Sequence, residues 1–243
     1  MRLGHLTRLG GLLRRLGATP LPTEPGADPK VNEERDLSTR GGARYDLYVP
    51  KRGELRGVAV AVHGMTMQGN RDERLIHFAR ALARSKVGCV TPRLPGLASC
   101  RFRPADVDDL VEICHQAPPQ EHAGVIGFSF GGSYALLAAS RAGIAERLRF
   151  VLTFGAYHDL QTLMDDFDRG DHLATPRDAK EWDERIYVET ILAYQHGVAA
   201  GLPAALIADC AELLGRYCHG ASPEEKLRFH RERLAPLQID ALG

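Results

Sequence analysis

The chain has 243 residues, 44% hydrophobic and 26% charged, and its 31 basic and 31 acidic side chains give a formal net charge of zero. That length suffices for one sizeable core with an inserted subdomain, and the balanced charge supplies no overall field for nucleic acid or an anionic membrane. No apolar run approaches the roughly 18 residues of a membrane span. The five cysteines (Cys89, Cys100, Cys114, Cys210 and Cys218) include no C-x-x-C pair, so neither a disulfide framework nor a zinc site is expected, and a cytoplasmic setting fits.

The first sixteen residues carry Arg2, Arg8, Arg14 and Arg15 and no acid, with Leu9, Leu12, Leu13 and Leu16 on one helical face. A basic amphipathic helix of this kind can lie on a membrane surface and also has the composition of an organelle transit peptide. The reading preferred here is a short helix docked on its own domain, or a frayed end. Residues 19–29 hold four prolines and a glycine and read as an extended linker. Gly41-Gly42 marks a turn, and the alternating, aromatic-bearing stretch 43–50 reads as a strand.

Residues 57–63 form a nearly continuous apolar run, as expected of a strand buried on both faces of a parallel sheet, ending in His63-Gly64. The spacing of Leu75, Phe78, Ala79 and Leu82 predicts a helix over 71–84, with Arg71-Asp72-Glu73-Arg74 as its solvated start. A short strand over 87–92 is followed by a loop, Arg93-Leu94-Pro95-Gly96-Leu97. Pro104 can occupy the first turn of a helix that carries Val107, Leu110, Val111 and Cys114 and stops before Pro118-Pro119.

Next comes the apolar run 122–126, then Gly127-Phe128-Ser129-Phe130-Gly131-Gly132, then a good helix former over 133–139. Strand, sharp turn and helix with G-x-S-x-G at the turn is the nucleophile-elbow pattern. The glycines are needed because side chains two residues either side of the serine would strike neighbouring backbone. The turn lifts the Ser129 hydroxyl clear of the sheet and directs the first helical amides, beginning with Phe130, at a reacting centre. A further buried strand is expected over 149–155. Strands alternate with helices from about residue 57 to 155, which predicts βαβ units and a mostly parallel sheet. Beyond residue 159 the texture is helical, with helices expected over 160–167, 176–199, 203–217 and 223–234 and no strand.

Three features in register, His63-Gly64 after one strand, Leu94-Pro95-Gly96 after the next and Gly127 to Gly132 after the third, resemble the α/β-hydrolase fold family across about residues 43–157. The resemblance implies an α/β-hydrolase core with a mostly parallel sheet over 43–158, a helical cap with a C-terminal tail over 159–243, and an N-terminal basic helix and linker over 1–42. It implies Ser129 as nucleophile, the backbone amides of Met65 and Phe130 as the oxyanion hole, and a structural role for His63. The implied function is hydrolysis of a carboxylic ester or similar acyl bond through an acyl-serine intermediate, on a small-molecule acyl substrate, with no metal and no organic cofactor.

The family places an acid and then a histidine after the serine, usually beyond two further strands that follow the cap. Here the chain ends with the tail 234–243, so the C-terminal strands and both loops are expected to be missing. Asp159 is the best upstream acid and is equally well placed as a helix N-cap. His158, His172, His196, His219 and His230 remain open as the base, and none is assigned. The acidic group Asp165, Asp166, Asp168, Asp171 and His172 has no calcium- or zinc-site spacing and reads as a solvated loop. The alternative to an active hydrolase is a non-catalytic chain that binds a small acyl ligand or a protein partner. A sheet cut short should expose an edge strand and an apolar face, and so favour a homo-oligomer.

Overall fold

The computed structural model describes residues 26–99, 101–116, 123–157, 159, 190, 194, 204–218 and 221–234. The expected N-terminal helix, the helix over 160–167, the acidic group 165–172, most of the helix over 176–199 and the C-terminal tail lie outside the described residues, as do His158, His172, His196 and His219. The chain forms two compact units, residues 1–98 with 102–157, and 99–101 with 158–243.

The first unit is built on one sheet of β1 (Val31–Ser38), β2 (Arg44–Pro50), β3 (Val58–Val62), β4 (Gly88–Pro92), β5 (Ala123–Phe128) and β6 (Leu148–Phe154). The strand order is β1-β2-β4-β3-β5-β6. β2 runs antiparallel to both its neighbours, and β3, β4, β5 and β6 are parallel. The connecting helices are α1 (Glu73–Arg84), the single turn α2 (Pro95–Ala98), α3 (Pro104–Gln116) and α4 (Phe130–Ala139). Every residue of β3 is buried, because alternate side chains serve two layers. Ala59 and Ala61 pack with Leu75, Ile76, Ala79 and Leu82 of α1 and with Ile126 of β5. Val58, Val60 and Val62 point the other way, towards the layer where α4 packs on β5, β6 and α3.

Four local features differ from the sequence reading. β1 lies in a stretch to which the sequence analysis assigned no element, and it carries the core sheet back to residue 31. The loop after β4 coils into α2. Arg71 to Arg74 is not a free solvated start: Asp72 is buried and caps α1 by accepting the Arg74 amide at 3.0 Å, while Arg71 pairs with Asp36 and Asp46. β6 is not buried: Phe150, Leu152 and Phe154 are 45%, 44% and 52% exposed, and β6 is the open edge of the described sheet.

The described part of the second unit is helical: α5 (Ala204–Cys218), α6 (Pro223–Phe229) and a π-turn, His230–Leu234. Leu206, Cys210 and Leu213 form its core with Tyr194, Leu227 and Phe229. Ser222 and Glu225 close a reciprocal capping box at the start of α6. No helix among the described residues is long and apolar enough to cross a membrane.

Candidate active site

The residues flanking Ser129 explain why the chain turns there. β5 ends at Phe128 and α4 begins at Phe130, leaving Ser129 as the only link between strand and helix. It takes φ +52° and ψ −130°. A positive φ is uncommon for a residue with a side chain, and this ψ lies far from the small left-handed well near +47°. Such backbone strain costs about 1–3 kcal/mol and persists only where surrounding packing over-determines it. The packing is visible. The Ser129 amide donates to Phe154 O at 2.7 Å, and the Gly132 amide donates to Ser129 O at 2.8 Å. A methyl group on Gly127 would lie 2.5 Å from both Gly131 O and Gly132 Cα, and one on Gly131 would overlap the carbonyl of His63. Both flanking glycines are therefore required, as the sequence pattern predicts.

The aromatic residues of the turn hold its sides. Phe128 meets Phe78 edge-on at 5.2 Å and stacks on Phe154 at 5.6 Å. Phe130 packs against Phe102 at 4.9 Å and Tyr157 at 5.1 Å. The Tyr157 amide donates to Ser133 Oγ at 3.0 Å, which ties the chain after β6 to α4.

Phe130 is the first residue of α4, so its amide has no acceptor within the helix, and the helix dipole favours negative charge in front of it. The second expected donor, the Met65 amide, follows Gly64. A methyl on Gly64 would sit 3.2 Å from both Phe128 O and Ser129 Cβ. The loop after β3 thus lies directly against Ser129, with Met65 buried in it. The fold thus brings Ser129, Phe130 and Gly64 together, with Met65 next in the chain.

His63 is buried, and its ring Nδ1–H donates to Gly64 O at 2.6 Å. This contact fixes the tautomer and leaves Nε2 buried without a partner. Burial lowers its pKa to about 4, against a smaller opposing pull from the Gly64 carbonyl and Asp72. At neutral pH His63 is an uncharged brace for the loop. Asp72 completes the brace: Thr66 Oγ1 donates to its Oδ2 at 3.3 Å. Burial alone would raise the Asp72 pKa, but the Arg74 hydrogen bond and charge outweigh burial and hold it below the ordinary carboxylate value.

Leu94-Pro95-Gly96, the second feature of the pattern, is secured by a group that sequence reasoning missed. Asp106 of α3 is buried and accepts the Leu97 amide at 3.0 Å. Burial raises its pKa, partly offset by the Leu97 and Gly96 amides. Tyr134 of α4 accepts the Arg103 amide at 2.9 Å, locking the start of α3 to the elbow helix. Nothing in a single sequence marks Asp106 or Tyr134, because their partners are backbone groups brought close only by the fold.

Of the candidate histidines, only His230 is described; it is buried in the π-turn of the second unit. Cys89, Cys114 and Cys210 are free, buried thiols; burial pushes Cys114 up to about 12 and Cys210 up to about 11. None of the three is a thiolate nucleophile at neutral pH. Among the described residues no cluster of three His, Cys, Asp or Glu side chains is arranged to hold a metal ion.

An antiparallel β2 beside an otherwise parallel core, with the strand-to-helix turn at Ser129 after β5 and the Gly64–Met65 loop after β3, is the arrangement of the α/β-hydrolase fold. No family model and no curated protein matches the chain. Among solved structures it is similar to the esterase Est22 (17% identity, TM-score 0.44, covering 65% of this chain and 53% of that one). It is also similar to brefeldin A esterase, a bacterial homologue of human hormone-sensitive lipase (18%, 0.44, 65% and 53%), and to an inhibited esterase B from Lactobacillus rhamnosis (18%, 0.47, 69% and 62%). The chain spans between about half and three-fifths of the length of these structures.

Proposed function

We propose that the chain is a serine hydrolase acting on a carboxylic ester or similar acyl bond of a small molecule through an acyl-serine intermediate. The observation that carries this is the Ser129 backbone at φ +52°, held on the tip of a strand-to-helix turn by glycines that admit no side chain. Strain of this kind has no packing benefit of its own, since a glycine would hold the turn more cheaply. It presents a hydroxyl at the N-terminus of a helix.

In the reaction Ser129 Oγ attacks the acyl carbon as a general base takes its proton. The carbonyl electron pair moves onto oxygen, where the Phe130 and Met65 amides receive it. One such donor is typically worth about 3 kcal/mol of transition-state stabilisation. Collapse expels the alcohol and leaves an acyl-serine, which water then cleaves. The test is labelling of the full chain by a fluorophosphonate probe, with Ser129→Ala as control. Labelling that disappears in the variant supports an activated serine; a folded chain that stays unlabelled sinks the reading.

A second reading keeps the elbow without turnover, as a module that binds an acyl ligand or a protein partner. One observation favours it, the apolar, exposed β6 edge. Pairing of two copies along this edge predicts a dimer that Val151→Lys returns to monomer in sedimentation equilibrium. A wild-type chain that remains monomeric at about 100 µM, well above the Kd of an ordinary stable interface, refutes edge pairing.

A further inference from the structure

The loop after β3 must hold the Met65 amide still, yet it is ten residues long and contains Gly64 and Gly69. Its inner end is fixed by His63 and by the elbow. Its outer end, the 3-10 turn Gly69–Arg71, is held by a part of the protein distant in sequence. Asp46 on β2 is only 1% exposed. Its carboxylate accepts the Asp36 amide at 2.8 Å, Arg35 at 3.1 Å and Arg71 Nε at 3.4 Å. Arg71 reaches further and pairs with Asp36 at 2.7 Å. Asp36 itself sits at φ +55° in the β1 bulge, where the β1–β2 register shifts between Glu34 and Leu37.

The bulge therefore presents a backbone amide to Asp46 and a carboxylate to Arg71. A bulge re-aims a strand locally, and this one points Asp36 at the loop. From Arg71 the chain passes to Asp72, which receives Thr66, the residue after Met65. Asn70 adds a contact to Thr91 O at 3.4 Å, at the end of β4.

We infer that Asp46 and Arg71 are positioning residues: the β1 bulge and the buried Asp46 carboxylate clamp the outer end of the oxyanion loop and so set the place of the Met65 amide. The inference rests on the proposed serine chemistry for its catalytic consequence, but the clamp itself is a property of the fold. An oxyanion donor displaced by about 1 Å loses most of its value, so the loss expected on breaking the clamp is roughly ten- to a hundredfold in acylation rate.

The experiment compares wild type, Arg71→Met, Arg71→Lys, Asp46→Asn and, as a control, Arg84→Met, which breaks an ion pair of the same kind with Asp28 at the far end of α1. Two quantities are read on the full chain: the rate constant for fluorophosphonate labelling and amide hydrogen exchange over residues 63–72. Arg71→Met should slow labelling at least tenfold, with an unchanged thermal midpoint or one no lower than that of Arg84→Met. It should also speed exchange in the loop alone. Arg71→Lys should recover part of the rate, and Arg84→Met should leave both readouts at wild-type values. Arg71 is half exposed, so its variants should fold even where Asp46→Asn does not. Wild-type exchange and labelling in Arg71→Met would overturn the clamp and leave the serine reading standing. An unlabelled wild type whose loop is loosened by Arg71→Met would sink the serine reading and support the clamp.

Discussion

Gly127→Ala puts the elbow to a quantitative test. The added methyl would meet Gly131 O and Gly132 Cα at 2.5 Å and Gly132 N at 2.7 Å. All three are backbone atoms, so no side chain can rotate away, and either α4 or the end of β5 must move by roughly 1 Å to restore ordinary contact. Overpacking of this kind costs about 1–3 kcal/mol. Out of the 5–15 kcal/mol of a typical domain, that leaves the protein folded at 25 °C. The same shift displaces Ser129 Oγ from the Phe130 amide, and about 1 Å of misplacement is worth about a hundredfold in rate. The assay pairs urea unfolding, followed by circular dichroism, with fluorophosphonate labelling per folded molecule. Two controls bracket the effect. Gly26→Ala, with nothing within 4 Å, should change neither readout, and Gly64→Ala, whose contacts are 3.2 Å, should fall between. A Gly127→Ala protein that unfolds within about 0.5 kcal/mol of wild type, the ordinary scatter of neutral surface changes, and labels at the wild-type rate would refute the argument that backbone contact holds the turn.

Ser129→Gly should abolish labelling and also stabilise the fold. Relief of about 1–3 kcal/mol of strain exceeds the roughly 0.5–1 kcal/mol of extra chain entropy that glycine loses on folding; a variant less stable than wild type would show that Ser129 is unstrained. His63 predicts an acid-sensitive loop. Its folded pKa of about 4 lies below the unfolded 6.5, so between those values the unfolded chain binds the extra proton and stability falls as pH drops, by roughly 3 kcal/mol below both. Urea midpoints at pH 7, 5.5 and 4.5 measure this, and a His63→Gln variant with the same pH slope as wild type would rule His63 out as its source.

The elbow was legible because its constraints are local. Gly127, Ser129 and Gly131 lie within five residues, and each is required by atoms close by in sequence or by the strand beside them. β3 was legible because burial on both faces leaves a run of five apolar residues. β1 was not, for a physical reason. The side of β1 that meets α1 is built with charge: Glu33 receives Arg80 at 2.6 Å with both side chains largely buried, and only Val31 joins the apolar core. A strand packed through ion pairs shows no apolar alternation to read. The same holds for Arg71 and Asp72, whose charged run resembles a solvated helix start until Asp36 and Asp46 are placed opposite. β6 misled in the other direction. Its apolar run matches that of a strand buried on both faces, and sequence alone does not distinguish an inner strand from one that is an edge among the described residues.

The two edges of the sheet bear different marks, and the difference bears on function. β1 is guarded in the ways that keep a strand edge from pairing: a bulge, a residue at positive φ, and charges at Glu34, Arg35 and Asp36. β6 carries a register shift and one charge, Arg149, at its start, but beyond it the exposed run Phe150 to Leu152 is wholly apolar. A solitary exposed leucine needs no explanation, but a contiguous apolar edge does. The elbow packs on this same strand, since Phe154 O receives the Ser129 amide and Phe154 stacks on Phe128. Whatever covers β6 therefore bears on the strand that supports Ser129. An added strand or a second copy along that edge would stiffen Phe154 and so the turn that holds Ser129. Labelling rate per molecule should then rise with protein concentration if a second copy is the cover, and stay flat if the edge is open in the working protein.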